Sequence, residues 1–464
     1  MKANHTMSLI PAFSAARRLG LWRACVGALC LAAAGAQAAL PIQHWTQANG
    51  ARVYLVESHA IPMVDVQIDL DAGSRRDPAA QAGLASVMAG QISSGLRADP
   101  KGSGPYAQAM DENQLGEAWA DLGASFGTGA SADRLSFSLR SLSYPDLLDK
   151  AVALAARQMA HPAFPEVIWV RDRERLSAAI REALTQPGTV VQNTYASAVY
   201  GGHPYGYKTT PESLSRIGAA DLTALHAQAL RTCNASVSVV GDLSRAQADA
   251  LVKRLLALWP ATSVCQPMAP VAEVEPLKTA QAMNVPFDSA QAHVLMGQPG
   301  YKRSDPDFFA LLVGNHILGG GGFVSRLTEQ VREKRGLSYS VYSYFSPGLH
   351  AGAFTVGLQT RPDQAAQATA VAQEVVRTFV QDGPTEAELQ AAKSNLIGGF
   401  ALRIDSNRKL LDNVANIAWN RLPLNYLDTW TAQVERVRVD DVRRAMARVL
   451  QPERMVTVVL GAQP

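Results

Sequence analysis

An internal repeat restricts the fold of this chain more than any other feature. Residues 217–241 (IGAADLTALHAQALRTCNASVSVVG) align without a gap with residues 437–461 (VRVDDVRRAMARVLQPERMVTVVLG), at an offset of 220. Both segments have the pattern of a helix, a short turn and a buried strand rich in Val. Asp221 and Asp441 stand where a helix N-cap is expected. One such match could arise by chance between Val-rich strands.

A second match, nearer the start of each half, argues against chance. Residues 64–78 (VDVQIDLDAGSRRDP) and 292–306 (AHVLMGQPGYKRSDP) both contain a strand pattern, a Gly turn and a basic pair before Asp-Pro. A helical pattern follows each, over 81–93 and 307–318. The order and the near-constant offset predict a duplicated α+β unit.

A proline-rich segment separates the two copies. Residues 266–278 (QPMAPVAEVEPLK) have three prolines and no helical or strand period, which predicts an extended linker between domains at 39–265 and 279–464. In the first half we predict strands at 52–56 and 64–70, as neighbours, and at 135–141 and 237–241. In the second half we predict strands at 293–297, 339–345, 352–358 and 455–460.

The first 38 residues have the pattern of a cleaved export signal. Arg17, Arg18 and Arg23 precede an apolar run over 24–34, and Ala36-Gln37-Ala38 is a small-x-small cleavage site, so the mature chain is expected to start at Ala39 in the periplasm. A membrane anchor is the alternative, but the run is shorter than the ~20 residues that span a bilayer.

The charge of the mature chain excludes one broad class of partner. Without residues 1–38, 39 Lys and Arg face 40 Asp and Glu, a net charge of −1. Nucleic-acid binding normally requires a basic stripe, and none is present. Cys233 and Cys265 are the two cysteines of the mature chain; in an oxidising compartment they form either one disulfide or two separate buried thiols.

A short helix pattern in the first half carries a specific family resemblance. Gly83-Leu84-Ala85-Ser86-Val87-Met88-Ala89-Gly90 resembles the metal helix of the M16 peptidases, the insulinase and processing-peptidase family. There the Gly-Leu-Ala is followed by His-x-x-Glu-His, in which two His hold Zn²⁺ and the Glu acts as base. Ser86, Ala89 and Gly90 occupy those three positions here, so we expect no metal on this chain.

The third zinc ligand of the family is a Glu on a later helix, and Glu182 lies about where it belongs, within a helix expected over 171–184. A lone carboxylate does not make a zinc site, so we interpret Glu182 as an ordinary surface or pairing residue. No His-x-x-x-His pair, Walker A loop or nucleophile elbow offers another site.

The second half holds the other family segment. Asn315 to Gly322 (NHILGGGG) is followed by Ser325-Arg326-Leu327 and by residues 332–339 (REKRGLSY). This resembles the M16 substrate segment, in which an Arg and a Tyr seven positions apart reach the zinc site of the opposite half. The resemblance assigns these roles to Arg332 and Tyr339. The alternative makes Tyr339 a half-buried strand residue and Arg332 a solvated helix residue.

The four glycines Gly319, Gly320, Gly321 and Gly322 have two compatible interpretations. They form a helix C-cap after Leu318, and they resemble the Gly-rich, substrate-admitting loop of zinc-less processing-peptidase subunits. The residues 201–206 (GGHPYG) match a family turn that we interpret as structural, because His203 has no predicted partner.

The resemblance extends over residues 39–464 and implies two M16-type (LuxS/MPP-like) domains, each a mainly antiparallel sheet covered by helices, forming half of a clamshell. It implies a zinc-less subunit that supplies Arg332 and Tyr339 to a homologous zinc-bearing partner chain during hydrolysis of unfolded peptides. The alternative from another class is a non-enzymatic scaffold or assembly protein, as some M16-like subunits are. A stand-alone hydrolase has no supporting residues.

Overall fold

Two β-sheets organise the computed structural model, which describes residues 41–99, 102, 104–260 and 268–462. The predicted signal at 1–38 lies outside these residues. Sheet 1 has the order β1-β2-β8-β3-β7-β6. Its strands are β1 (Gln43–Thr46), β2 (Arg52–Glu57), β3 (Met63–Leu70), β6 (Ser125–Ala130), β7 (Leu135–Leu142) and β8 (Ser236–Gly241), and the short strands β4 (Gly95–Leu96) and β5 (Met110–Asp111) pair separately.

Sheet 2 is built from strands of the second half in the order β11-β12-β10-β13-β9. Its strands are β9 (Gln281–Val285), β10 (Ala292–Pro299), β11 (Ser340–Phe345), β12 (Ala353–Thr360) and β13 (Val456–Leu460). The order β2-β8-β3-β7-β6 in sheet 1 corresponds strand for strand to β9-β13-β10-β12-β11. In each sheet the first of these pairs is parallel and the rest are antiparallel. The predicted α+β class with mainly antiparallel sheets is confirmed.

The predicted pairing of the first two strands is wrong. Strands β2 and β3 are not neighbours, because β8 lies between them, parallel to β2 and antiparallel to β3. All six residues of β8 are buried, as expected for a central strand flanked on both edges and covered on both faces. A short connection between two strands indicates proximity but does not require that they pair.

Fourteen α-helices lie in the described residues. They are α1 (Leu84–Gln91), α2 (Glu112–Asp121), α3 (Pro145–Ala160), α4 (Glu166–Ala183), α5 (Pro187–Tyr200), α6 (Pro211–Ser215), α7 (Ala219–Ala229), α8 (Arg245–Leu255), α9 (Phe308–Asn315), α10 (Ala365–Asp382), α11 (Glu386–Gly398), α12 (Asn407–Asn420), α13 (Tyr426–Arg436) and α14 (Val439–Val449). Helices α7 and α14 begin and end at an offset of 220, like the sequence repeat.

The two repeat aspartates are not N-caps, which corrects their predicted position. Gly218 and Arg438 are the N-cap residues, and Asp221 and Asp441 stand three positions later. Each carboxylate accepts a hydrogen bond from the N-cap backbone N–H, at 2.9 and 3.0 Å. The aspartates therefore stabilise the same helix ends from the first turn, where negative charge also complements the helix dipole.

Each half contributes one helix to the sheet of the other half. Helix α5 packs against β10 and β13 of sheet 2, and α12 packs against β8 and β3 of sheet 1. The α5 interface is apolar, with Val191, Tyr195 and Val199 in one cluster with β13 side chains. Tyr195 also donates a hydrogen bond to the Phe354 carbonyl at 2.8 Å. Because of this exchange of helices, each sheet needs a helix from the other half to be fully covered.

The turn at 201–206 joins the first half to the linker and to the second half. His203 Nε2 donates to the Ala272 carbonyl at 3.0 Å, and its Nδ1 accepts from the Tyr205 backbone N–H at 3.1 Å. The ring of His350, in the second half, lies 5.2 Å from that of His203. His203 therefore has partners that the sequence did not reveal. Its ring can donate through Nε2 and accept through Nδ1 at the same time only when the imidazole is neutral.

These contacts predict an acid-sensitive junction. Burial lowers the pKa of His203 below its ordinary value of about 6.5; the hydrogen bond to Ala272 opposes this effect, and the nearby His350 adds to the lowering. Below pH 6.5 the unfolded chain binds more protons than the folded chain, so this part of the stability is present above that pH and is lost as the pH falls towards the lower folded pKa. Urea unfolding at pH 7.5 and 5.0 should show a larger loss of unfolding free energy for wild type than for His203→Gln. Equal losses in the two proteins would contradict it.

The linker and the cysteines are only partly within the described residues. Residues 268–280 contain no helix or strand. Cys233 is disulfide-bonded, whereas its predicted partner Cys265 lies outside the described residues. None of the helices in the described ranges combines the length and the apolar character needed to cross a bilayer.

Candidate functional site

Helix α1 occupies the place of a metal helix but carries no metal-binding group. Ser86 and Gly90, one turn apart, are both exposed, whereas Ala89 is 1 % exposed. A Cβ built on Gly90 would meet no atom within 4 Å. The Ala89 carbonyl accepts a hydrogen bond from Thr128 Oγ1 of β6 at 2.6 Å. The backbone for two ligands at i and i+4 is therefore present and open, and only the ligating side chains are missing.

Glu182 does not supply a compensating site. It lies near the end of α4, is exposed, and its carboxylate has no ion pair or hydrogen bond within the described part of the chain. The α4 carboxylate that contacts α1 is Asp172, which accepts from Gln91 Nε2 at 2.7 Å and also pairs with Arg171. No sequence signal identified Asp172, because a buried amide–carboxylate pair between helices depends on their packing.

The described residues offer no replacement metal centre. They contain no group of three or more His, Cys, Asp or Glu side chains placed to hold a metal ion. A zinc site needs at least three protein ligands. The part of the first half that the structure describes therefore contains no side-chain group that could replace the zinc ligands.

We predict that the purified chain holds no stoichiometric zinc. Hydroxyl, methyl and hydrogen groups at Ser86, Ala89 and Gly90 replace two imidazoles and a carboxylate. Metal analysis after dialysis should give far less than one zinc per chain. The double variant Ser86→His/Gly90→His, which restores two imidazoles one turn apart, should retain more zinc than wild type. About one tightly held zinc per wild-type chain would overturn the prediction.

The glycine-rich segment begins as part of a helix rather than as a cap. Helix α9 continues beyond Asn315 as a π-helix over His316–Gly320, so the helical path does not end at Leu318. A Cβ on Gly319 would lie 2.5 Å from the backbone nitrogen of Ser343 on β11. Gly319 is therefore required for close packing, while Gly320 and Gly322 are exposed.

The end of this segment projects an apolar tip. Gly322 has a φ of +63° and open space around its Cα, so it is the residue that turns the chain outward. Phe323 and Val324, which follow it, are 72 % and 73 % exposed. The sequence does not predict the exposure of these two side chains, because neither residue type nor spacing distinguishes them from ordinary apolar residues.

The base of the segment is fixed by Arg326. Its guanidinium donates to both carboxylate oxygens of Glu388 on α11, at 2.6 and 2.7 Å. Although burial opposes it, this pairing, together with hydrogen bonds from Thr385, lowers the pKa of Glu388 to about 2. Bidentate pairing of this kind restrains orientation as well as position. Arg326 therefore anchors the segment and is not available to a substrate.

Arg332, in contrast, is weakly held. It lies in a second π-helix, Thr328–Glu333, and is partly exposed. Its guanidinium carbon is 4.8 Å from the centre of the Phe323 ring, and its Nε is 3.5 Å from the adjacent Glu333 carboxylate. Exposed contacts of both kinds contribute little energy. The guanidinium can therefore turn towards another ligand at small cost.

Tyr339 is the most exposed large hydrophobic residue in the described part of the chain, at 85 %. The residues before it are tied to β12, because the Leu337 carbonyl accepts from Thr360 Oγ1 at 2.5 Å and Ser338 Oγ donates to the Gln359 carbonyl at 2.6 Å. A phenol on a fixed backbone but without internal packing is not a core residue. The alternative of a half-buried strand tyrosine does not fit its exposure.

Comparisons with known proteins agree with the fold. The family described as peptidase M16 inactive domain matches residues 216–396. A peptidase M16 inactive domain from Pseudomonas fluorescens has a TM-score of 0.84 and 33 % identity, over 92 % of this chain and 98 % of that chain. The non-peptidase homolog YmxG of Helicobacter pylori is 26 % identical over 403 residues, 85 % of this chain and 88 % of the relative.

A more distant structure resembles the fold alone. The periplasmic protease PqqL from Escherichia coli has a TM-score of 0.73 and 19 % identity, over 91 % of this chain and 46 % of that chain. The 33 % identity to the Pseudomonas structure over nearly the full length of both chains establishes the family of this chain. The metal helix has lost all three of the family's functional groups. The chain belongs to the M16 peptidase family and is an inactive member of it.

Proposed function

We propose that this chain is the zinc-less subunit of a heterodimeric periplasmic M16 metallopeptidase. In this proposal Arg332 and Tyr339 act at the zinc site of a homologous partner chain that carries an intact His-x-x-Glu-His motif. Zinc on the partner supplies the activated water, and this chain supplies substrate contacts. The substrates are unfolded peptides, bound as an extended strand along a sheet edge, where main-chain hydrogen bonds dominate over side-chain recognition.

The observation that carries the proposal is the contrast between the two halves. The metal helix has lost every ligating group, yet Arg332 and Tyr339 are present and accessible, and neither is held by a strong internal partner. Both side chains are therefore free to contact a ligand outside the chain: Tyr339 is 85 % exposed, and Arg332 has only a 3.5 Å contact with the adjacent Glu333. The leader-like residues 1–38 support export to the periplasm.

The chemistry of these two side chains suits peptide hydrolysis. Attack on the peptide carbonyl develops negative charge on its oxygen, and a phenol O–H directed at that oxygen stabilises the charge. A guanidinium remains charged and can hold a neighbouring substrate carbonyl through several N–H groups. The glycine segment Gly319–Gly322, with its exposed tip at Phe323, would border the path by which the peptide enters.

A second candidate function is a non-enzymatic scaffold. This candidate is favoured by the Helicobacter relative, which is named a non-peptidase homolog. The two proposals differ in a measurable way. A catalytic subunit must change the rate of peptide cleavage by its partner, whereas a scaffold changes only the assembly state.

Reconstitution with a zinc-bearing M16 homologue tests the proposal. Each chain alone and the mixture are assayed with an unfolded, fluorescence-quenched peptide, and complex formation is followed by size-exclusion chromatography. We expect cleavage by the mixture to exceed that by either chain alone. A confirmed complex that cleaves no faster than the zinc-bearing chain alone would favour the scaffold.

A further inference from the structure

A cavity lined by residues of both halves brings together two arginines that lack a negative partner within the described residues. It has a volume of about 530 Å³, within the range of small-ligand sites. Arg52, at the start of β2, and Arg421, at the end of α12, both line it. Neither guanidinium forms an ion pair or a side-chain hydrogen bond in the described residues. The two arginines come from different halves of the chain.

The two guanidinium groups carry like charge and line the same cavity. Partial burial lowers the pKa of Arg52, the nearby Tyr54 opposes this effect, and the positive charge of Arg421 adds to the lowering. The one acidic residue of the lining, Asp71, does not compensate. Its carboxylate is occupied by Arg75 at 2.5 Å and by two hydrogen bonds from Arg76 at 2.7 Å. The cavity therefore has an uncompensated positive charge.

The backbone at Arg421 provides an independent indication. Its φ of 51° and ψ of 42° place it in the left-handed region, where residues with a Cβ are disfavoured and glycine is not. The helix C-cap alone would be better served by glycine. A strained, charged residue at a cavity wall is the kind of outlier that accompanies ligand binding.

The remaining walls define the shape of a ligand. The indole of Trp419 and the side chain of Asn420 line the cavity next to Arg421. Asn420 uses its amide nitrogen within α12, towards Asn416 at 2.9–3.0 Å, so its oxygen remains available. Two guanidinium groups beside an aromatic wall can hold an oxyanion, with a further group of the ligand against the indole.

We infer that this cavity binds an oxyanion, a phosphate or a carboxylate, bridged between Arg52 and Arg421. The site joins β2 of the first half to α12 of the second, so a bound anion would cross-link the two halves. It does not depend on the partner chain or on the Arg332 segment. The anion can come from solution as inorganic phosphate or from the free C-terminus of a peptide.

Thermal unfolding and calorimetric titration of the full mature chain test the site. The probes are inorganic phosphate, and a short peptide with a free C-terminal carboxylate compared with its C-terminal amide. Stabilisation by phosphate, or by the acid peptide but not the amide, supports the site and identifies the source of the anion. If neither probe raises the melting temperature above an equal ionic strength of sodium chloride, the inference is wrong.

Variants separate binding from folding. Arg421→Gly removes one guanidinium and the backbone strain, so it should raise stability without ligand yet weaken binding about 10- to 100-fold. Arg52→Gln should weaken binding by a similar factor. Arg408→Gln, an exposed change about 20 Å away along α12, controls for total charge and should leave binding unchanged. Unaltered binding in Arg421→Gly, or equal weakening in Arg408→Gln, would overturn the assignment.

Discussion

Tyr339→Phe should lower the kcat of the reconstituted pair by about 10²–10³-fold, the usual effect of removing one oxyanion donor. The change deletes a single hydroxyl from a side chain that is 85 % exposed, so it should not alter folding. Because the lost hydrogen bond forms mainly in the transition state, KM should change little. The measurement is steady-state cleavage of an unfolded peptide by a zinc-bearing partner mixed with wild-type or variant chain.

Tyr342→Phe is the matched control for this effect. Tyr342 is also partly exposed, at 43 %, but it lies within β11 with its ring against Gly357 of β12. It should therefore lose little activity. Equal rates for wild type and Tyr339→Phe, with the complex confirmed, would make Tyr339 a surface residue and remove the main support for a catalytic subunit.

Arg332→Ala should lower kcat/KM of the pair by about 10- to 100-fold, as expected when a charge-assisted hydrogen bond is lost. Unlike the tyrosine change, it should raise KM as well as lower kcat, because a substrate carbonyl is contacted in both ground and transition states. The partner should keep its zinc, since Arg332 is not a metal ligand. Cleavage kinetics and metal analysis of the isolated complex give both values.

Arg335→Ala provides the comparison, three residues further along the same exposed segment. Its guanidinium is directed to Gln330, at 2.7 Å from the carbonyl, and not to the Phe323 tip. If both alanine variants lose activity equally, the effect belongs to the general positive charge of the segment. If neither loses activity while the complex persists, the scaffold function is favoured.

The hydrophobic pattern and the repeat were sufficient to predict most of the fold. The strands predicted at 64–70 and 135–141 correspond to Met63–Leu70 and Leu135–Leu142, because strong alternation or continuous burial marks them. The edge strands β1, β6 and β9 were missed. Strand β6 (SFGTGA) has two glycines and no fully buried residue, so it has little intrinsic strand signal.

The candidate site was predictable only as far as local motifs extend. Ser86, Ala89 and Gly90 are informative because a metal helix places its ligands at fixed spacing on one turn. Asp172, His203 and the exposed Phe323 had no such signal. Their contacts or exposure depend on which helices and loops meet, over separations such as the 81 residues between Gln91 and Asp172.

The sequence by itself determined the duplicated α+β architecture, the loss of zinc-binding groups and the segment that contains Arg332 and Tyr339. These properties depend on residue type and short-range spacing. The tertiary structure decided that β8 separates β2 from β3, that α5 and α12 exchange between the sheets, and that Arg52 and Arg421 meet at one cavity. Such contacts join residues up to several hundred positions apart, and their free energy comes from burial and electrostatics that exist only once both halves are packed together.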